Sequence, residues 1–438
     1  MASVYRDAYI VIGASNAKSD SEGFLRQRTI EAATIGEDLQ GSLLPPGIQG
    51  LSATSDPLKS EPLNLRAWTL QERYLPRRMI SYGKDQVFWE CSEMVASEDG
   101  DCFPRDGDRL DLVAKTAATD ISICMISGRS PGQTADTNYF DWYETIKEYS
   151  RRHITKPADR LPALAGLAKA LAERSGDEYF AGVWKKGLIE GLLWCRAGED
   201  HLLTRPAYRA PSWSWASVDG FINFTAYHFY DRCQWKNMMA NFEFTATYID
   251  SSIEPTGQSQ YGGVKSGWIR LKAPLFPITS AKSWNRVNYD SPLVMMDPLR
   301  SSVCDKVFET EIKYNGKREK VWLDGGFDVN NANQSEKGLF VLFLARLPDP
   351  GSSSELYLDI RFGLILEALG SNDEYRRVGI IDGTVKIHKM HIASKLQGKL
   401  YLEPYLRKVK EMDGDEEIPN VLGPDPYGGL EQKIVKIV

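Results

Sequence analysis

The chain has 438 residues, of which 42% are apolar and 26% are charged, close to the average for soluble globular proteins. This composition excludes collagen-like, coiled-coil and wholly disordered chains, and the length predicts two or three domains. A formal net charge of -6 makes a nucleic-acid backbone an unfavourable partner. The unusual feature is aromatic: the chain has 11 Trp, 20 Tyr and 16 Phe. Its Trp content is about twice the usual share, which predicts large buried anchors or stacking surfaces.

The sequence carries no mark of a membrane, secretory or metal-binding protein. It has no apolar run of about 18 residues, and its first residues lack a basic segment followed by an apolar one. Its six cysteines form no CxxC pair, and His388 and His391 have a spacing that points them to opposite faces of a strand. We therefore expect a cytoplasmic chain with reduced thiols, without a membrane contact, a metal site or a cofactor.

The first hundred residues alternate between strand and helix patterns. An early buried strand, which must pair with a later segment or lie at a sheet edge, is predicted over 8–15. The Gly, Pro and Ser content of 41–62 predicts a long connection. A short helix over 68–73 that ends before Pro76, a strand over 85–91 and an acidic loop over 92–107 follow.

Helical spacing dominates the middle of the chain. Asp141 is a predicted cap for a helix that places Trp142, Ile146 and Tyr149 on one face. A second helix has Asp159 as its predicted cap. The apolar residues with helical spacing in that second helix are Leu161, Leu164, Ala165, Ala168, Leu171 and Ala172. Gly176 is its predicted stop, and another short helix is predicted within 177–194.

After Pro211 the pattern becomes typical of an antiparallel β domain, because short β-rich runs are separated by Gly, Asn and Pro clusters. The predicted strands include 242–249, 268–271, 321–323, 339–344 and 364–366. The segment 412–429 is acidic and rich in Pro and Gly, which is typical of a mobile tail.

Three motif segments carry a family resemblance. The first is Leu65-Arg66-Ala67-Trp68-Thr69-Leu70-Gln71-Glu72-Arg73 with Gly83–Cys91 after it. The second runs from Glu148 through Asp159-Arg160-Leu161-Pro162 to Trp194, and the third is Ala210-Pro211-Ser212-Trp213-Ser214-Trp215-Ala216-Ser217-Val218-Asp219-Gly220. Together they resemble the fungal heterokaryon-incompatibility (HET) domain family. Tyr375-Arg376-Arg377-Val378-Gly379-Ile380 resembles a closing strand found in such proteins.

The resemblance implies an α+β fold, with a helix-rich, partial HET-like region over 1–225 packed with an antiparallel β-rich domain over 226–410. An acidic tail over 411–438 follows. Full-length relatives also carry an upstream, TIR-like half with Ser-Tyr-Cys-Trp-Gly-like and Trp-Ile-Asp-Ser-like strands. The motifs of that half are missing from this sequence, so no residue here is assigned a catalytic role by resemblance.

Candidate site residues are taken from these motifs. Trp68, Arg73, Trp89 and Glu90 mix rings with opposite charges. They form either a polar site beneath stacked rings or a structural unit in which Arg packs on Trp and pairs with a carboxylate. Glu72 is a further acid available for acid–base chemistry, although no spacing pairs it with another acid.

The third motif gives Trp213, Trp215 and Asp219 as candidates. At strand spacing, both Trp rings would share one face, where they could stack a flat ligand or cover a layer of helices. Asp219 is another isolated acid. The serines of this motif lack a Gly-x-Ser-x-Gly elbow and a nearby His, so a hydrolase triad is not indicated.

Two functions remain open. The favoured one is fungal non-self recognition, in which the chain acts through contact with a protein partner of an incompatibility system. The alternative is a cofactor-independent enzyme of secondary metabolism: a cyclase, isomerase or Diels–Alder-type pericyclase with a small hydrophobic polyketide or terpenoid substrate. Such chemistry needs only an aromatic-lined pocket, since proximity and orientation can lower a barrier by about 7–11 kcal/mol. Whether the Trp set lines a pocket or fills a core separates the two.

Overall fold

The computed structural model describes residues 2–25, 58–91, 94–100, 102–104, 139–197, 206–224, 242–283, 310–314, 317–323, 338–347, 360–370, 373–382 and 432–438. The chain divides into two compact units. Unit 1 comprises 1–187 and 254–265, and unit 2 comprises 188–253 and 266–438. The domain boundary at 225 that the resemblance implies stays a prediction. The predicted strand around His388 and His391 lies outside the described residues.

Unit 1 contains a five-stranded sheet in which the strands follow one another in chain order. Its strands are β1 (Val11–Gly13), β2 (Arg78–Tyr82), β3 (Val87–Cys91), β4 (Met94–Ser97) and β5 (Cys102–Pro104). β1 pairs with β2 in parallel, and the remaining neighbours are antiparallel. The early strand therefore pairs with a later segment and lies at the sheet edge, as its position predicts. It is shorter and more exposed than expected, since Ile12 is 60% exposed.

The helices of unit 1 are short. They are α1 (Ala2–Arg6), α2 (Thr69–Tyr74), α3 (Phe140–Tyr149) and α4 (Ala165–Ser175), and 3₁₀ turns cover Pro62–Leu65, Pro157–Asp159 and Pro162–Leu164. α3 buries Trp142, Ile146 and Tyr149 on one face, which confirms the helical spacing. α4 ends at Gly176, whose φ of 62° suits glycine.

Both predicted helix caps are wrong. α3 begins after Tyr139, so Asp141 lies inside the helix, and α4 begins after Leu164, five residues beyond Asp159. Pro162 opens a 3₁₀ turn that precedes α4, so the α-helix begins later than predicted.

The segment 177–194 contains the short helix that the sequence predicts and, before it, a hairpin that was not predicted. β6 (Tyr179–Phe180) and β7 (Val183–Trp184) pair across Ala181 and Gly182, which have φ of 44° and 108°. Aromatic and β-branched residues on both sides of a positive-φ turn favour a hairpin over a helix. Only Leu188–Gly191 forms a helix there, α5, and it belongs to unit 2.

Unit 2 is built mainly of strands. β8 (Trp194–Ala197) and β9 (Phe221–Phe224) form an antiparallel pair. A nine-stranded sheet contains β10 (Glu243–Phe244), β11 (Thr247–Pro255), β12 (Val264–Ser283), β13 (Thr310–Tyr314), β14 (Lys317–Leu323), β15 (Leu339–Leu347), β16 (Ile360–Ala368), β17 (Glu374–Asp382) and β18 (Gln432–Ile437). Four of the five predicted β-rich runs fall within these strands, and the run 242–249 is divided between β10 and β11, with 245–246 outside both.

Part of this sheet closes on itself. β12 pairs with β15, β15 with β16, β16 with β17, β17 with β18, and β18 with β12, so five strands form a closed barrel. Closure removes the exposed sheet edges that an open sheet would leave. Leu271, Leu342, Leu364, Ile380 and Ile437, one from each strand, are fully buried in the core.

The observed fold contains both helices and strands, and strands predominate among the described residues. The expectation of a helix-rich region over 1–225 is not confirmed, because the five-stranded sheet and the β6–β7 hairpin occupy much of the described part of it. The acidic loop predicted over 92–107 contains β4 and β5. The predicted tail over 411–438 contains β18, whose alternating apolar residues Val435 and Ile437 are buried.

Candidate functional site

The first motif forms α2 and the turn that precedes it. The Thr69 hydroxyl lies 2.7 Å from the carbonyl oxygens of Leu63 and Arg66, and its single proton can serve either one. The helix ends at Tyr74, and Pro76 follows, as the sequence predicts. Although α2 has six residues, it buries Thr69, Gln71 and Arg73 along with its apolar side chains. Polar side chains that are buried on so short a helix need partners on other elements.

Arg73 finds its partner on β3. Its Nε donates to Glu90 Oε2 at 3.0 Å, and its Nη2 donates to Glu90 Oε1 at 2.8 Å. The two side chains are only 4% and 5% exposed. This two-point geometry is typical of a buried Arg–carboxylate pair. The structure thus brings together the two charged residues of the predicted set as an ion pair inside unit 1.

The two tryptophans of that set do not form a layer over the ion pair. Trp89 is the neighbour of Glu90 on β3, so it points to the opposite face of the sheet. Trp68 is half-buried, and its indole Nε1 donates to Asp159 Oδ2 at 3.1 Å. Asp159 therefore accepts from an indole instead of capping a helix.

Glu72, the remaining candidate of the first motif, faces α1. Glu72 is half-buried, and its carboxylate lies near the Tyr5 hydroxyl. Burial raises the pKa of Tyr5, and the nearby Glu72 carboxylate raises it further. Glu72 and Glu90 thus each have a partner of their own, which is a weak arrangement for a pair of cooperating acids.

A second buried network connects α2 with α3. Tyr74 donates its hydroxyl to Glu148 Oε2 at 2.8 Å, and Arg152 pairs with Glu148 Oε1. Arg152 also donates to Thr69 Oγ1 at 3.2 Å. Burial raises the pKa of Tyr74 well above its usual value, and the Glu148 carboxylate acts in the same direction. Tyr74 is therefore a hydrogen-bond donor at every physiological pH.

Gln71 connects α2 with α4. Its Oε1 accepts from the backbone N–H of Gly166 at 3.2 Å, and a methyl group at Gly166 would lie 2.8 Å from this oxygen. Gln71, Glu148 and Arg152 belong to the quoted motifs but were not among the candidate site residues. Helical spacing with Ala67, Leu70 and Tyr74 predicts burial of the polar Gln71, whereas no spacing marks Glu148 or Arg152.

The third motif is not a strand. Trp215–Ser217 forms a 3₁₀ turn with Ser214 as its cap, since Ser214 Oγ accepts from Ala216 N at 3.1 Å. Serine at this position satisfies a backbone N–H that the turn leaves free, and this local bond competes with extended backbone. The predicted strand is therefore wrong. Trp213 and Trp215 are nevertheless both 0% exposed.

Trp213 is tied into the core of unit 2 through its backbone. Trp194 Nε1 on β8 donates to the Trp213 carbonyl oxygen at 2.9 Å. The guanidinium of Arg377 on β17 lies 3.4 Å from the centre of the Trp194 ring and donates to the Leu192 carbonyl at 2.6 Å. Ser212 Oγ accepts from the Arg377 backbone N–H at 3.0 Å. The third motif and the Tyr375–Ile380 motif thus meet in a filled core.

Asp219 lies at the exit of the same motif. Its Oδ1 is 2.6 Å from Arg209 Nη1, and its side chain is 39% exposed. Arg209 is buried and also donates its Nε to the Ala216 carbonyl at 2.6 Å. Asp219 and Arg209 therefore fix the two ends of the loop that carries the two tryptophans, which is a structural role.

The predicted set is divided between the two units. Unit 1 holds Trp68, Glu72, Arg73, Trp89 and Glu90, and unit 2 holds Trp213, Trp215 and Asp219. Within the described residues, no group of three or more His, Cys, Asp or Glu side chains is placed to hold a metal ion. None of the described helices is long and apolar enough to cross a membrane.

Comparisons with family models, with curated proteins and with solved structures find no match for this chain. The expectation of a HET-type protein therefore rests on the motif residues themselves. What the structure adds is where those residues lie: the tryptophans of the third motif fill a core, and the charged residues of the first motif pair with each other.

Proposed function

We propose that this chain is a HET-type protein of fungal non-self recognition that acts by contact with a protein partner in the cytoplasm. One observation carries this proposal: Trp213 and Trp215, the central residues of the third motif, are 0% exposed. Rings that fill a core stabilise a scaffold and are not available to stack on a ligand. Recognition then depends on the residues that are exposed at the surface of the protein.

The strand-rich unit 2 offers such a surface. No residue of β11 is fully buried, and Ile249 on this strand is 41% exposed. Phe244 on β10 is 46% exposed. An exposed strand with apolar side chains is a recognised mode of contact between proteins, because backbone and side chains both contribute. These residues support a recognition role for unit 2.

The alternative function, a cofactor-independent cyclase, isomerase or pericyclase, receives less support. It needs several aromatic rings around an open pocket for a hydrophobic polyketide or terpenoid. Trp213 and Trp215 are unavailable for this purpose, and Trp89 points away from the Arg73–Glu90 pair. An assay that mixes the purified chain with a reactive polyene intermediate would support this alternative if the product distribution changed.

Expression in a fungal host, alone and with allelic partner proteins, tests the favoured function. The expected result is growth arrest or vacuolation in a specific allelic combination. The double variant Phe244→Ser/Ile249→Ser should abolish that response while the protein accumulates normally. Matched replacement of two exposed residues of unit 1, Tyr9→Ser/Ile12→Ser, should retain it. Normal growth in every combination would rule out the proposal.

A further inference from the structure

Unit 1 contains buried polar atoms that the α2 networks do not satisfy. They lie where β1 ends beside β2, since Gly13 is in register with Ser81. Ser15 and Ser81 are 0% exposed and Asn16 is 5% exposed. Among the described residues, Ser15 Oγ, Ser81 Oγ and Asn16 Oδ1 have no hydrogen-bond partner. Each such atom destabilises the folded state unless something pairs with it.

The two hydroxyls lie on the same side of the sheet. A methyl group at Gly13 would lie 3.5 Å from Ser81 Oγ and 3.6 Å from Ser15 Oγ, so both oxygens are neighbours of one point. Met79 shares this face, and its Cε would be 2.5 Å from that methyl group. A side chain at position 13 would therefore require the Met79 side chain to move.

The backbone around these atoms is firmly fixed. Asn16 N donates to the Tyr82 carbonyl at 3.0 Å, and Asn16 Nδ2 donates to the Gly83 carbonyl at 3.1 Å. The Leu63 N–H donates to the Ser15 carbonyl at 3.1 Å. Because the Asn16 amide is oriented by Gly83, its Oδ1 must remain an acceptor. Hydrogen bonds of neighbouring backbone and amide groups thus fix these residues, although the three unpartnered atoms take no part in those bonds.

We propose that an internal water bridges the Ser15 and Ser81 hydroxyls where β1 ends beside β2. The chemistry of the two hydroxyls favours water, because each can both donate and accept a hydrogen bond. Polar internal sites of this kind hold water that makes about three hydrogen bonds. The water would join the edge strand β1 to β2 through their side chains, in addition to the backbone hydrogen bonds between the two strands.

A crystal structure of the full chain that resolves ordered water tests the site directly. The expected result is a water within about 2.5–3.0 Å of Ser15 Oγ and Ser81 Oγ. A direct bond between the two hydroxyls, or their rotation onto backbone carbonyls without a water, would overturn the proposal. A cation, recognised by contacts to both hydroxyl oxygens that are shorter than hydrogen bonds, would overturn it as well.

A mutational cycle in solution gives an independent readout. Ser15→Ala and Ser81→Ala should each lower the folding equilibrium constant about tenfold, because each leaves the bridge incomplete. The double variant should lose less than the product of the two effects, since both act through the same water. Independent effects would contradict the bridge. Ser21→Ala, which removes an exposed hydroxyl, is the matched control and should leave the constant unchanged.

Discussion

The guanidinium carbon of Arg377 lies 3.4 Å from the centre of the Trp194 ring, and both residues are fully buried. The same guanidinium donates to the carbonyl oxygens of Leu192 and Trp194. A planar group that stacks on an indole and forms a fork of donors is a combination that only arginine offers among the charged residues. Arg377 thereby fixes the chain just after α5 against β17, inside unit 2.

Replacement of this arginine should therefore be costly even when the charge is kept. Arg377→Lys removes the planar stack and one arm of the fork, and we expect the free energy of unfolding to fall by about 2 kcal/mol or more. Urea unfolding followed by Trp fluorescence measures the change. Arg376→Lys is the control, because the adjacent Arg376 is half-buried and pairs with Glu367. Equal effects of the two substitutions would contradict a special role for the stack.

The ion pair of Arg73 and Glu90 gives a second prediction. Arg73→Met leaves a buried carboxylate without its partner, and we expect a loss of about 3–5 kcal/mol of unfolding free energy. The double variant Arg73→Met/Glu90→Leu should recover much of that loss, since neither charge remains buried. A double-mutant cycle by urea unfolding measures this. Glu254→Gln, at an exposed ion pair with Lys265, should cause no measurable change.

The elements that sequence patterns predict well are those with strong local signals. α2 before Pro76, the buried face of α3, the end of α4 at Gly176 and the strands of unit 2 all follow from periodicity or from residues with restricted backbone angles. β18 was missed because the acidic, Pro- and Gly-rich stretch before it dominates the composition of the tail. Its pairing with β12 and β17 depends on residues more than 50 positions away.

The residue types of the candidate site could be predicted from the sequence, but the arrangement of the residues could not. Pairing of Arg73 with Glu90 follows from burial of opposite charges, and the sequence left it as one of two alternatives. Trp213 and Trp215 are two positions apart, as alternate residues of a strand would be. Ser214 nevertheless caps a 3₁₀ turn, so the two residues lie in a compact loop. A local side-chain bond of this kind overrides a period-two pattern over so few residues. No sequence pattern marks Ser15 and Ser81, whose hydroxyls are unpartnered where β1 ends beside β2.

Gly166 is predicted to tolerate no side chain. A methyl group there would lie 2.8 Å from both Ala2 Cβ and Gln71 Oε1, and 2.9 Å from Leu75 Cδ1. Gly166→Ala should therefore lower the free energy of unfolding by about 1–3 kcal/mol, despite the better helix propensity of alanine. Gly257→Ala is the control within unit 1, because a methyl group there meets no atom within 4 Å. A stabilised Gly166→Ala variant in thermal unfolding would contradict the packing around α4.

Glu190 on α5 gives a prediction for pH dependence. Burial raises the pKa of Glu190 from 4.5 to about 7. Below pH 4.5 the acid is protonated in both the folded and the unfolded chain, so its ionisation does not change the free energy of unfolding there. As pH rises to about 7, the unfolded chain releases this proton more readily than the folded one, and the free energy of unfolding falls.

Glu190→Gln should remove this contribution, so that the variant matches the wild type at acidic pH and is more stable than the wild type at pH 8. Urea unfolding at a series of pH values gives the two curves, and their difference isolates Glu190 from the other acids. Glu243→Gln, at a more exposed carboxylate of the same unit, should retain the wild-type dependence. If Glu190→Gln showed the same slope as the wild type between pH 5 and 7, the carboxyl group would be ionised in the folded protein, and α5 would have to leave it in contact with solvent.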